Sequence, residues 1–239
     1  MNLGFPFRHE YKFLLNKGVY LQLREVIKKI MKKDRNYDNE EGYLIRSLYF
    51  DDAYDTALFE KNLGFLNREK YRVRIYNFSD SVIKLEIKQK RNEYINKQSS
   101  RITRKEYERL LEKDVSFLFI SEDKIRRKFY TIYRNKMLRP KAIVDYVREA
   151  YVLPYNQIRV TFDKYLSASR PQRNIFDKSQ IGQSVGNEYS YILELKYNNF
   201  LPSYIRDVLD MYSLNRLAVS KYVLCREYLD KQMGENLFG

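Results

Sequence analysis

Three times the sequence places a glutamate two residues before a lysine inside an alternating run: Glu10 with Lys12, Glu86 with Lys88, and Glu194 with Lys196. Basic pairs of the same spacing accompany them, Arg72 with Arg74 and Lys88 with Lys90. Residues two apart on a β-strand share a face, so each run offers a row of charge to one side. Tyr71, Val73 and Ile75 oppose Arg72 and Arg74, while Ile83, Leu85 and Ile87 oppose Lys84, Glu86, Lys88 and Lys90. Ile158, Val160 and Phe162 oppose Arg159 and Thr161; Leu193, Leu195 and Tyr197 oppose Glu194 and Lys196; Arg8, Glu10 and Lys12 share one face near the start. One such strand is ordinary in a sheet with a solvated face. Closed into a barrel, the same faces would line a tunnel, where crowded cations repel unless an anion joins them. A run of phosphates is such an anion, gripped in pairs by arginine forks and neutralised by lysine point charges. Glutamates there weaken phosphate binding; they are better suited to a hard divalent cation, Mg²⁺ or Mn²⁺, that also touches phosphate. Glu10, Glu86 and Glu194 are the candidates for it. The expected chemistry is metal-assisted handling of an oligophosphate.

The composition excludes most other chemistry. Lys and Arg number 45 against 31 Asp and Glu, a formal charge of +14 that predicts anionic partners. One histidine, His9, and one cysteine, Cys225, leave no Cys/His zinc site and almost no basis for a serine or cysteine triad. Eight glycines never form GxGxxG or GxxxxGK[ST], so side chains rather than a backbone cradle must hold phosphate. Cys225, on the apolar side of the last helix, is expected to be a packing residue. No stretch free of Asp, Glu, Lys and Arg exceeds nine residues, against the ~20 apolar residues of a membrane span. With no signal peptide and no disulfide, the expected location is cytoplasmic.

These residues need strands to carry them. Period-two runs predict strands at 10–14, 43–50, 70–78, 82–91, 141–152, 158–166 and 189–197, with short turns implying antiparallel pairing. Helical stripes predict helices at 17–33, 103–113 (opened by a Thr103/Glu106 capping box), 121–137, 202–213 and 216–231. Asp34 to Gly42 reads as a polar loop. No linker, repeat or low-complexity run divides the chain, so residues 1–239 read as a single α+β domain with a β-rich centre.

Several motifs in order resemble the VTC domain, the polyphosphate polymerase branch of the CYTH-like triphosphate tunnel metalloenzymes: Arg8-His9-Glu10-Tyr11-Lys12, Ser47-Leu48-Tyr49-Phe50-Asp51-Asp52, Arg72-Val73-Arg74-Ile75-Tyr76, Leu85-Glu86-Ile87-Lys88 and Ser220-Lys221-Tyr222. The resemblance covers about residues 5 to 230. It implies a closed antiparallel β-barrel tunnel with helices packed around it, a divalent metal, and transfer of the ATP γ-phosphate onto inorganic polyphosphate. By matching motif, Lys12 is similar to the entrance lysine of the first strand, Arg72 and Arg74 to the phosphate-binding pair, and Lys88 to the lysine after the glutamate. Lys97-Gln98-Ser99-Ser100-Arg101 resembles the next basic stretch, with Lys97 or Arg101 reaching the tunnel. Tyr146, Arg148 and Arg159 match further phosphate ligands, Glu194 the metal-binding glutamate with Lys196 beside it for substrate, and Ser220 and Lys221 the pair opening the last helix. The wider superfamily opens with Glu-x-Glu-x-Lys; Arg8 replaces the first glutamate and fits the polymerase branch better than the hydrolase or cyclase branches.

The implied reaction is phosphoryl transfer by positioning and charge neutralisation, needing no base when the attacker is an ionised phosphate. Two alternatives stand beside it: a triphosphatase or nucleotide cyclase of the same fold, and a non-catalytic binder of polyphosphate or nucleic acid. Nucleic acid is disfavoured, since no RNP1 run, zinc finger or helix-turn-helix is present. Any coupling of the product to a membrane would need a separate membrane-protein partner.

Overall fold

Alternation of apolar and charged residues is realised as strands throughout. The computed structural model describes residues 9–34, 41–92, 94–171, 174–186 and 191–237. Arg8, most of the loop expected at 34–42, and the first two residues of the strand expected at 189–197 lie outside the described residues. The order is β1 (His9–Leu15), α1 (Lys17–Ile30), β2 (Lys32–Lys33), β3 (Tyr43–Asp51), α2 (Thr56–Asn62), β4 (Asn67–Tyr76), β5 (Ser79–Arg91), β6 (Tyr94–Ile102), α3 (Arg104–Leu111), α4 (Ser116–Phe119), α5 (Lys124–Asn135), β7 (Arg139–Leu153), β8 (Ile158–Ser169), β9 (Gln183–Ser184), β10 (Tyr191–Tyr197), α6 (Ser203–Asp210) and α7 (Lys221–Leu237).

The strands form one antiparallel sheet along the path β1-β10-β8-β7-β3-β4-β5-β6, with β2 on β7 and β9 on β8. The fold is α+β around a large antiparallel sheet. Among the described residues no backbone ladder joins β6 to β1, but the two ends approach through side chains. His9 of β1 lies 5.7 Å from Tyr94 of β6, ring centre to ring centre, and Lys88 of β5 reaches Glu10 of β1 at 2.9 Å.

Two apolar layers coat the outer face. Val73, Ile75, Ile83, Leu85 and Ile87 pack with Tyr107, Leu110, Leu118 and Phe129 of the helices α3 to α5. Val160, Phe162, Leu193 and Leu195 pack with Leu23 and Ile27 of α1 and Ile205 of α6. Each large apolar side chain so enclosed contributes roughly 1.5–3 kcal/mol. A third layer covers part of the inner face, where Tyr222, Val223 and Cys225 of α7 meet Ile45, Tyr49, Val144 and Tyr146. Cys225 is wholly buried there, as expected of a packing residue.

Helix starts follow local capping. Asn16 accepts from Val19 N at 2.9 Å to open α1, and the Thr103/Glu106 capping box opens α3. The last helix departs from the expected start at 216. It begins at Lys221, because residues 216–220 are taken by the exposed edge of β1: Arg216 bridges to Phe13, and Leu217 N donates to Lys12 O at 2.9 Å. Ser220 then caps α7, its Oγ accepting from Val223 N at 3.3 Å. Among the described residues no helix is long and apolar enough to cross a membrane.

Candidate active site

The charged faces of β1, β3, β4, β5, β7 and β10 converge on one cavity of about 340 Å³, closed on one side by the strap 216–221. Twelve lysines and arginines line it against two glutamates, Glu10 and Glu194. Strand register explains the convergence: Lys12 lies opposite Glu194 and Glu10 opposite Lys196, while Lys70 pairs with Lys88 and Arg72 with Glu86.

Glu10 sits at the centre of the cations. Lys88 donates to both its oxygens at 2.9 and 3.1 Å, Lys12 stands 3.1 Å away and Lys196 3.5 Å. Burial and the neighbouring Glu194 favour its neutral form, but Lys88, Lys12 and Lys196 outweigh them and hold it well below the usual carboxylate range. Glu194 lies 2.6 Å from Lys196, 3.6 Å from Lys12 and 3.8 Å from Arg148. Those cations likewise overcome its burial and keep it ionised. Burial would depress Lys12, yet Glu10 and Glu194 raise it above the ordinary lysine range. Lys88 goes the other way: burial, helped by Lys12, pushes it down to about 7 despite Glu10.

The arginines are held from behind. Glu86, fully enclosed, accepts from Arg72 Nε at 2.6 Å and from Lys97 at 3.2 Å. Arg74 is steered by Ser47 Oγ and the Tyr146 hydroxyl, both at 3.1 Å, and Arg72 also donates to the Tyr49 hydroxyl at 2.8 Å. Asp163 grips Arg148 in a fork of 2.5 and 2.7 Å and reaches Lys221 at 2.5 Å, tying β7 to the start of α7. Gly42 (φ +100°) lets β3 start against Arg148, whose carbonyl oxygen would lie 2.3 Å from any Cβ added there.

The cavity therefore brings together Lys12, Arg72, Arg74, Lys88, Tyr146, Arg148, Lys196, Ser220 and Lys221, with Glu10 and Glu194. Four expected residues are placed elsewhere. Glu86 supports Arg72 instead of facing the cavity, and Lys97, on the neighbouring strand, spends its charge on Glu86. Arg101 is exposed on β6 opposite Lys84. Arg159 shares the inward parity of β8 but is captured by Asp34 at 2.7 Å and the Tyr43 hydroxyl at 3.2 Å. Conversely, Lys61, Arg68, Lys70 and Arg216 line the cavity without having been singled out. Lys70 was legible, having the parity of Arg72 and Arg74; Lys61 and Arg216 lie on a helix and a strap, where period two gives no signal.

The chain matches the VTC domain over residues 7–229. It belongs to the VTC domain family. No curated protein matches it. Among solved structures it is similar to a candidate adenylate cyclase of Bacillus halodurans, at 15% identity and TM-score 0.52, covering 91% of this chain and 96% of that one. Weaker likenesses are a protein of Pyrococcus horikoshii OT3 (13% identity, TM-score 0.48, 92% and 99% covered) and a candidate adenylate cyclase of Vibrio parahaemolyticus (10%, 0.48, 92% and 97%). The Bacillus likeness shows that this VTC domain has the CYTH-like fold.

That fold family typically uses a divalent metal. Among the described residues of the VTC domain, no three acidic, histidine or cysteine side chains converge. Two carboxylates do, and both are held ionised; Glu194 Oε1 is buried without a directed hydrogen bond. Mg²⁺ is commonly held by one or two carboxylates plus substrate phosphates, so Glu10 and Glu194 fit such an ion when phosphate enters with it.

Proposed function

We propose that this protein is a metal-dependent polyphosphate polymerase, transferring the γ-phosphate of ATP to a growing inorganic polyphosphate chain within the basic cavity. The observation that carries the proposal is the imbalance of twelve lysines and arginines against two carboxylates on one small inner surface. Such a wall is stable only with counter-charge, and a linear polyanion supplies more of it per unit volume than a nucleotide alone. On this reading the sheet acts as a closed tunnel, residues 1–239 work as one domain, and catalysis occurs in the cytoplasm.

Arg72, Arg74 and Arg148, each oriented by a partner behind it, bind non-bridging oxygens in pairs. Lys12, Lys88, Lys196 and Lys221 offset charge where the bond to the leaving diphosphate breaks, and Tyr146 holds Arg74 in line. Bound between Glu10, Glu194 and the substrate, Mg²⁺ or Mn²⁺ would neutralise the triphosphate. The terminal phosphate of the chain is already ionised and attacks without a base. Positioning and preorganised charge thus supply the rate enhancement.

Purified protein incubated with ATP and Mn²⁺ or Mg²⁺ should give stainable polyphosphate and matching ADP, both lost in Lys88→Ala. ADP with free phosphate and no polymer would replace the polymerase by a triphosphatase, and a cyclic nucleotide by a cyclase. Tight polyphosphate retention without any product would leave a binding protein.

A further inference from the structure

Elongation needs an acceptor that already carries phosphate, and the cavity also contains a hydroxyl able to start a chain. Ser220 Oγ lies on the cavity wall, is mostly buried, and accepts a hydrogen bond from Val223 N at 3.3 Å at the start of α7. Lys70 Nζ is hydrogen-bonded to the same Oγ. Among the described residues Lys70 forms no ion pair with a carboxylate. Around it stand Lys12 of β1, Lys88 of β5, Arg68 of β4, Lys61 of α2 and, 5.7 Å away, the Tyr222 ring of α7. Burial and these cations drive Lys70 well below the usual lysine range, which favours an amine able to take a proton from the hydroxyl it touches. A serine beside a neutral lysine is an activated nucleophile.

We propose that Ser220 is the acceptor of the first phosphoryl group, with Lys70 as its general base, so that the protein primes its own polymer. This rests on the polymerase reading. The Ser220 O–H bond breaks and its proton passes to the Lys70 amine. Oγ forms a bond to the γ-phosphorus as the bond from that phosphorus to the β–γ bridging oxygen breaks, and ADP leaves with the electron pair. The products are phosphoserine, ADP and a lysine ammonium that returns its proton to water. The phosphoserine remains at the N-terminus of α7, where backbone N–H groups and the helix dipole favour an anion, within the same ring of cations. Its oxygen is then an ionised acceptor for the next γ-phosphoryl group.

The test uses the full chain with γ-labelled ATP and Mn²⁺, with and without added tripolyphosphate, followed by peptide mapping and by assay of ADP and polymer. Wild type should carry label on the peptide containing Ser220 within the first turnovers. Ser220→Asn keeps a capping oxygen for α7 but has no hydroxyl, and Lys70→Arg keeps a long hydrogen-bonding side chain but stays charged and cannot accept a proton. Both should lose the label, and unprimed synthesis should fall by roughly tenfold more than tripolyphosphate-primed synthesis. Thermal melts matching wild type would establish that the variants are folded. ADP and polymer formed without label on Ser220, or label on Tyr49 instead, would overturn the inference and leave the polymerase intact. Absence of ADP and polymer altogether would remove both.

Discussion

Buried charge is treated differently on the two faces of the sheet. On the outer face, beneath α1, Glu149 is fully enclosed and meets the Tyr20 hydroxyl at 2.5 Å, Lys164 at 2.6 Å, Arg24 at 2.7 Å and the Tyr151 hydroxyl at 3.1 Å. On the same face, Arg46 forks onto Asp145 at 2.7–3.1 Å and also donates to the carbonyl oxygens of Asp177 and Gln180. Acceptors and donors there are supplied by the protein itself. On the inner face they are not: cavity cations outnumber acids, Arg74 comes no closer than 3.9 Å to a carboxylate, and Lys70 finds a serine. The first arrangement fixes helix to sheet. The second leaves charge to be completed by a ligand, and the two should answer differently to mutation.

The largest effect should come from the outer cluster. Glu149→Ala leaves Lys164 and Arg24 buried without their partner, which is expected to cost about 3–5 kcal/mol of stability in urea unfolding. Tripolyphosphate should stabilise this variant and wild type by the same amount, leaving the difference between them unchanged. Arg74→Met in the cavity should give the converse. Glu86 keeps Arg72 and Lys97, so no carboxylate is orphaned and the unfolding midpoint should stay close to wild type. Polymer synthesis should nevertheless fall by roughly 10²–10³-fold, as when one preorganised electrostatic donor is removed. Equal loss of stability in both variants would erase the distinction between the faces.

A ligand should then stabilise one region through mass action. Tripolyphosphate at a concentration of 100 times Kd should add about 2.7 kcal/mol to unfolding. That gain should shrink as salt rises, because mobile ions screen the attraction between the basic wall and the polyanion. Glu149→Gln should shift the starting stability without changing the increment. An increment that vanished with Glu149→Gln would mean that the outer cluster shapes the cavity.

The contrast also separates what the sequence made readable from what it hid. Inner and outer faces of β4 and β5 follow from alternation alone: Val73, Ile75, Leu85 and Ile87 are enclosed in the outer core, and Arg72, Arg74 and Lys88 face inward. β6 is not legible from period two, because three of its four buried positions are Asn96, Gln98 and Ser100, and Ile102 alone gives no hydrophobic period. Arg159 had the correct parity, yet Asp34, distant in sequence, captures it; a long-range ion pair leaves no trace in spacing. Glu86 was legible as a charged inward residue, but its partners sit on neighbouring strands, and register cannot be read from one strand. Asp163 shares the inward parity of Arg159 and Thr161, but its partners Arg148 and Lys221 lie on other elements and leave no mark in its own strand.

The smallest expected effect tests the inner face most directly. Above its depressed pKa, Lys70 is a neutral amine because burial and the surrounding cations disfavour its charged form. A bound polyanion opposes that field and raises the pKa, so binding takes up protons wherever the free amine is neutral, and affinity for tripolyphosphate rises as pH falls. Lys88, pushed down to about 7, adds to the uptake. Calorimetry in two buffers of different ionisation enthalpy should register an uptake of a fraction of a proton up to about one. Lys70→Arg, always charged, should remove the Lys70 share and leave that of Lys88. For the outer cluster no such linkage is expected, since Glu149, held low against its burial by Lys164, Tyr20 and Arg24, remains ionised whether or not ligand is present. Binding without proton uptake would mean that the cavity cations are already charged, and that counter-charge from the protein or solvent completes the inner face as fully as the outer one.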